Sequence, residues 1–155
     1  MSNLPPIGMC DIIGKDKNKF IHASGKTEGM IINGYLDEWG RPKCEMIVGT
    51  GKIMTYLTAV IDTGTYDTHI DIKLAKKIFA STVSEEKHSN PVYGNVIMPI
   101  YNLNYGFKER EDIYFKSDVF GMNFDADMLI GTHFILEFCD FRIFRKERRF
   151  ELIFN

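Results

Sequence analysis

The chain has 155 residues, enough for one domain around one core with little room for a second. Hydrophobic residues make up 45% and charged residues 26%, the balance of an ordinary globular protein. Nineteen basic against twenty-one acidic side chains give a formal charge of −2, without the basic surplus that a nucleic-acid-binding face needs, so no nucleic-acid partner is expected.

Three cysteines, Cys10, Cys44 and Cys139, are odd in number and widely spaced, with no C-x-x-C pair. Neither a disulfide framework nor a zinc knuckle is expected, and the thiols read as small buried hydrophobes in a reducing compartment. Residues 1–8 carry neither the charged nor the apolar region of a signal peptide, and no stretch approaches the roughly 18 apolar residues that span a bilayer. The expectation is a cytoplasmic protein with no membrane partner.

Residues 1–28 mix Pro5-Pro6, the polar cluster Lys15–Lys19 and scattered glycines, with Cys10–Ile13 and Phe20-Ile21 as short apolar islands. This stretch is expected to be an N-terminal arm or leader, with a dimer contact and a removable propeptide both open as its use. The folded domain is expected over 29–155. From Met30 the pattern changes to short apolar runs between turn signals, as in a sheet protein. Strands are expected at Met30–Tyr35, Cys44–Val48 and Tyr56–Ile61, with Leu57, Ala59 and Ile61 on one face of the third. A helix is expected over Ile72–Phe79, with Ile72, Ala75, Ile78 and Phe79 on its apolar face and Asp71 as N-cap. Thr82–Glu86 and Asn95–Asn104 then flank the turn-rich Asn90–Gly94 and read as a β-hairpin. Asp112–Lys116 is a further strand. Met128–Ile130 ends at Gly131 and leads into a helical turn with Phe134, Ile135 and Phe138. Strands near Phe141–Phe144 and Arg149–Phe154 close the chain. Between them runs the basic stretch Arg142–Arg149, which reads as a solvated turn and strand face.

The third strand runs straight into Asp62-Thr63-Gly64-Thr65. A chain of this length meets the bare triplet by chance roughly a few per cent of the time, so its context decides the reading. Thr68 and Ile70 follow, then the Lys-rich helix. Gly131, at the end of Asp127-Met128-Leu129-Ile130-Gly131, comes 69 residues after Asp62. In this order of elements the chain resembles the retropepsin-like single-domain aspartic proteases over about residues 29–154. That family pairs an early D-T-G loop with a late apolar-apolar-Gly strand, and the two cross in a ψ shape beneath a flap hairpin. The upstream Gly34, Asp37 and Gly40-Arg41-Pro42 are similar to the first strands of bacterial and archaeal relatives. Thr65 stands where Ala or Ser is common, and Thr132-His133 where viral and cellular relatives often carry Arg or Asp.

The resemblance implies a mainly β fold: a closed barrel or sandwich with ψ-loops, a flap hairpin and one or two short helices. It implies Asp62, Thr63 and Gly64 as the catalytic triplet. Thr65, Leu129, Ile130 and Gly131 would support the site, and Pro91, Val92, Tyr93 and Gly94 would form a substrate-binding flap. It also implies a homodimer acting on polypeptides with no cofactor. The chain has one D-T-G and no D-S-G, whereas peptide hydrolysis without a covalent intermediate needs both an acid and a base. Two carboxylates about 3 Å apart repel by roughly 5 kcal/mol at an effective dielectric of about 20, so one keeps a proton while the other ionises. A second copy of Asp62 would complete the pair. Thr63 would steady the partner loop through its hydroxyl, and Gly64 would let the backbone approach water and substrate.

Other chemistry finds no pattern. His22, His69, His88 and His133 show no H-x-x-x-H or H-E-x-x-H spacing, and no metal site is expected. Gly49-Thr50-Gly51-Lys52 lacks the earlier glycine of a phosphate loop, since position 46 is Met. Two functions remain open beside the endopeptidase: a catalytically silent dimerisation or peptide-binding module on the same fold, and a protease that mainly processes its own precursor.

Overall fold

The computed structural model of the chain describes residues 20–51, 53–90 and 94–155. Among these, the elements in chain order are β1 (His22–Ala23), β2 (Ile31–Leu36), β3 (Pro42–Gly49), β4 (Met54–Ile61), β5 (His69–Asp71), helix α1 (Ile72–Lys77), β6 (Thr82–Asn90) and β7 (Gly94–Phe107). A 3₁₀ turn at Lys108–Arg110 leads to β8 (Tyr114–Met122), β9 (Met128–Ile130), helix α2 (Thr132–Phe138), β10 (Cys139–Phe144) and β11 (Arg149–Phe154).

Strands β3, β4, β9, β5, β8 and β7 are hydrogen-bonded in that order, and β7 pairs back onto β3 from Met46↔Phe107 to Gly49↔Asn104. The sheet thereby closes into a six-strand barrel, the mainly β architecture that the sequence implies. β6 extends from β7 as the second arm of a hairpin. β2, β11 and β10 extend from β3 in that order.

Period-2 alternation fills the core that the barrel shares with the flanking strands. Cys44, Met46 and Val48 of β3 are buried, as are Tyr101, Leu103, Tyr105 and Phe107 of β7 and Phe150, Leu152 and Phe154 of β11. At the centre Phe107, Phe115, Phe134 and Phe154 meet. Phe115 and Phe134 lie edge to face at 4.9 Å between ring centroids. Burial of each ring contributes roughly 2–3 kcal/mol, and Phe134 ties α2 to the barrel.

The structure departs from the sequence reading in several places. The strand expected at Asp112–Lys116 begins at Tyr114 and continues to Met122. It runs on through Ser117, Asp118 and Gly121, held by β7 on one side and by β1 and β5 on the other. β1 and β5, two and three residues long, are too short to show a period. Within the stretch expected as an arm, His22–Ala23 pairs with β8, and Ser24 N–H donates to Tyr114 C=O at 2.8 Å. α1 ends at Lys77 rather than Phe79. Phe79 N–H donates to Lys76 C=O and Ala80 N–H to Ala75 C=O, the pair of hydrogen bonds that ends a helix on a left-handed residue. Phe79 takes that left-handed conformation (φ 55°) and is 73% exposed, so it leaves the apolar face. Asp71 stands at the N-cap position, but its side chain makes no capping hydrogen bond.

Candidate active site

β9 lies between β4 and β5, parallel to the first and antiparallel to the second, so the segment 62–68 arches over its end. The apolar residues of β4 and β9 are the cause. Ala59, Val60 and Ile61 pair with Met128, Leu129 and Ile130, and Ala59, Ile61, Met128 and Ile130 are buried. Asp62 N–H continues this ladder by donating to Ile130 C=O at 2.9 Å. The aspartate therefore stands where the last rigid strand position gives way to the loop.

The loop is hydrogen-bonded along its length. Gly64 N–H donates to Asp62 Oδ1 at 2.9 Å, which fixes the carboxylate against the loop backbone. Thr65 C=O accepts from Thr132 N–H at 2.9 Å and from the Thr132 hydroxyl at 3.2 Å. Tyr66 C=O accepts from His133 N–H at 3.0 Å, and the two rings stack at 4.9 Å with 8° between planes. Thr68 Oγ1 accepts from Gly131 N–H at 3.2 Å. A side chain at Gly131 would meet Tyr66 O at 2.3 Å and Asp67 O at 2.4 Å, so this crossing admits glycine alone without a backbone shift. Where a charged brace is absent from the sequence, the Thr132 bonds and the Tyr66–His133 stack tie loop to helix.

The structure brings Asp62, Thr63, Gly64, Thr65, Leu129, Ile130 and Gly131 together at this crossing. Asp62 is half-buried, Thr63 and Gly64 are exposed, Leu129 is half-buried and Ile130 is buried. Of the expected flap, Gly94 is exposed at the start of β7 with φ 73°. Pro91, Val92 and Tyr93 lie outside the described residues.

Asp62 and Thr63 line an open cleft of about 470 Å³. Its apolar wall includes Pro42, Val60 and Leu129, and its rim includes Arg41 and Asp125. Arg41 is set by the turn before β3. Asp37 Oδ1 accepts from Trp39 N–H and Arg41 N–H, both at 2.9 Å, while Oδ2 takes Arg41 Nε at 2.9 Å and Lys43 Nζ at 3.1 Å. Burial alone would raise the Asp37 pKa, but these donors outweigh it and hold the carboxyl well below its ordinary value. The sequence reading missed Asp125 and the rim role of Arg41. Both are far from Asp62 along the chain, and no local pattern marks them. Clefts of about 490 Å³ beside Asn33 and about 590 Å³ beside His22 share no lining residue with this one.

Among the described residues no group of three or more His, Cys, Asp and Glu side chains converges to hold a metal ion, and no helix is long and apolar enough to cross a membrane. Cys44 is a buried free thiol, and burial with nearby acidic charge pushes it up to about 12. Cys139 is likewise free and pushed up to about 12, by burial and by Asp140. Neither is a nucleophile at neutral pH.

No protein-family model matches the sequence, and no curated protein matches it. Solved structures do. A retropepsin-like aspartic protease from Rickettsia conorii superposes with a TM-score of 0.56 at 12% identity, over 86% of this chain and 93% of that one. EIAV protease complexed with the inhibitor HBY-793 matches with a TM-score of 0.48 at 14% identity, over 65% of this chain and 90% of that one. With its closed barrel and its D-T-G loop crossing over β9, the chain has the retropepsin-like fold.

Proposed function

We propose that the chain is a homodimeric aspartic endopeptidase, in which the Asp62 carboxylates of two copies activate one water molecule to hydrolyse a peptide bond. The observation that carries this reading is the place of Asp62: a carboxylate fixed by Gly64 N–H at the end of a rigid strand, on an open cleft, beside exposed Thr63 and Gly64. The ionised carboxyl would take a proton from the water as its oxygen attacks the carbonyl carbon. The protonated carboxyl would give its proton to the carbonyl oxygen, and collapse would deliver a proton to the leaving nitrogen. Thr63 and Gly64, exposed in the single chain, would face the partner loop and the substrate. Thr65, Leu129, Ile130 and Gly131 would hold the loop, and Pro91–Gly94 would close over the peptide. Residues 29–155 would form the protease domain, with 1–28 as its arm. The odd number of thiols supports a reducing, cytoplasmic setting.

The test is Asp62→Asn, which keeps size and hydrogen-bonding capacity but removes the base. Wild type and variant are incubated with a diverse peptide library across a pH series, and cleavage is read by mass spectrometry. The variant should fold, and cleavage should fall by roughly 10²–10⁴-fold or more. Wild-type cleavage should be stronger at acidic than at neutral pH, because the pair must share one proton. Equal cleavage by both proteins would mean a contaminant. Peptides bound but uncut by a wild-type dimer would sink the protease and leave the binding module.

A further inference from the structure

The proposed catalysis leaves the basic stretch of the last hairpin unused, and the fold sets that stretch beside the cleft. β10 and β11 are joined by residues 145–148, a turn closed by Arg148 N–H donating to Arg145 C=O at 3.3 Å. This tip is tied to the turn between β2 and β3. Leu36 N–H donates to Arg148 C=O at 2.9 Å, and Arg148 Nη2 donates to Asp37 C=O. The same turn carries Trp39, 76% exposed, and Arg41 on the rim of the Asp62 cleft. Arg148 takes the left-handed conformation (φ 51°) that glycine would adopt more readily. The chain thus accepts backbone strain at the point where its guanidinium clasps the turn, and strain of this kind gathers at functional sites.

The cations of the hairpin are of two kinds. Arg142 and Arg149 lie over the Phe144 ring, at 4.9 and 3.9 Å from its centroid, and Arg149 also binds Glu147 and Glu151. Arg148 donates to a neutral carbonyl, which leaves its charge uncompensated. Arg145 and Lys146 are exposed and form no ion pair among the described residues. From Arg142 to Glu151, five cations against two carboxylates give +3, while the whole chain carries −2, so the remainder carries −5.

We propose that this tip, with Trp39 beside it, binds an acidic segment of the polypeptide substrate at a distance from the bond to be cut. A peptide that leaves the cleft over Arg41 meets Trp39, whose ring offers an apolar face, and then the tip. A compact positive patch on an otherwise negative chain suits a short run of carboxylates. A long polyanion such as nucleic acid would run on over surface of its own sign. The substrate class so named rests on the protease reading, but binding at the tip can be measured without cleavage.

Trp39 is the chain's one tryptophan, so its emission reports on the patch. Full-length Asp62→Asn, which lacks the base, is titrated at neutral pH and low ionic strength. The probes are a peptide carrying a run of glutamates, its glutamine counterpart and an oligothymidylate. The glutamate peptide should shift Trp39 emission with a Kd at least about tenfold below that of the glutamine peptide, the sum of a few exposed charge pairs. In about 1 M salt, which screens charges beyond roughly 3 Å, the preference should vanish. Adding Arg145→Glu/Lys146→Glu, with circular dichroism to verify the fold, should abolish it at low salt as well. With Asp62 intact, the same double substitution should raise KM for acidic peptides at least about tenfold and leave kcat within about twofold, because it removes binding common to ground and transition states. Equal binding of the glutamate and glutamine peptides, a preference that survives the double substitution, or tighter binding of the oligothymidylate overturns the proposal. If wild type cuts acidic and neutral peptides alike and the substitution leaves KM unmoved, the patch falls and the protease stands. If glutamate peptides bind as stated and no peptide is cut, the protease falls and the acidic-peptide surface stands.

Discussion

At Gly131 a single methyl group decides whether the loop carrying Asp62 can cross β9. The obstructing atoms are the carbonyl oxygens of Tyr66 and Asp67, at 2.3 and 2.4 Å from where a Cβ would sit. Backbone cannot rotate aside there without releasing the bonds from Thr132 and His133 N–H. Gly131→Ala is expected to destabilise the protein by roughly 1–3 kcal/mol, the usual cost of overpacking, and to reduce any Asp62-dependent cleavage with it. Urea unfolding measures the first, and an unchanged midpoint would show that the crossing yields. Gly64 is a milder case: a side chain there would come to 3.1 Å from Asp62 Oδ1, pressing on the carboxylate rather than on backbone. Both glycines stand out in the sequence through their motifs. Their physical reason does not, because it lies in atoms that the fold brings from elsewhere in the chain.

Among the elements, the turn joining β2 to β3 carries the clearest pH prediction. Asp37 organises it, accepting two backbone N–H groups and facing two cations. Its folded-state pKa lies below the ordinary value of 3.8, so its stabilising effect is complete above that value and is lost as the pH falls below it. The stability difference between wild type and Asp37→Asn should stay constant from neutral pH down to about 4 and shrink only below that. Denaturant unfolding in buffers from pH 7 to pH 3 checks this, and a difference that fades between pH 7 and 5 would contradict it. Arg41 on the cleft rim would then stay anchored under mildly acidic working conditions. This turn is legible in the sequence as Asp37-Glu-Trp-Gly-Arg-Pro42, and β9 as Met-Leu-Ile before Gly131. Elements whose pairing is decided by distant strands are less so. β8 runs through polar residues because three strands hold it, and β5 is three residues wedged between β8 and β9. Apolar periodicity alone places Phe79 on the core face of α1, whereas the helix has already ended at Lys77, two residues before it.

On the scale of the whole molecule, the proposed site is shared between two chains, and this separates it from any chemistry a single chain performs. A dimer formed by one wild-type and one Asp62→Asn chain holds one carboxylate that can ionise, and so cannot divide the roles of acid and base. If the two proteins exchange subunits freely and total concentration is held fixed, the fraction of dimers with two wild-type chains falls as the square of the wild-type share. At one part wild type to nine parts variant, activity per wild-type chain should drop to about one tenth of its unmixed value. Diluting the unmixed wild type through its dimer Kd should lower activity per chain in the same way. The measurement is cleavage of one chosen library peptide at a series of mixing ratios, after incubation long enough for exchange. A monomeric enzyme would give constant activity per wild-type chain at every ratio, which would exclude the shared dyad even if Asp62 itself proved essential.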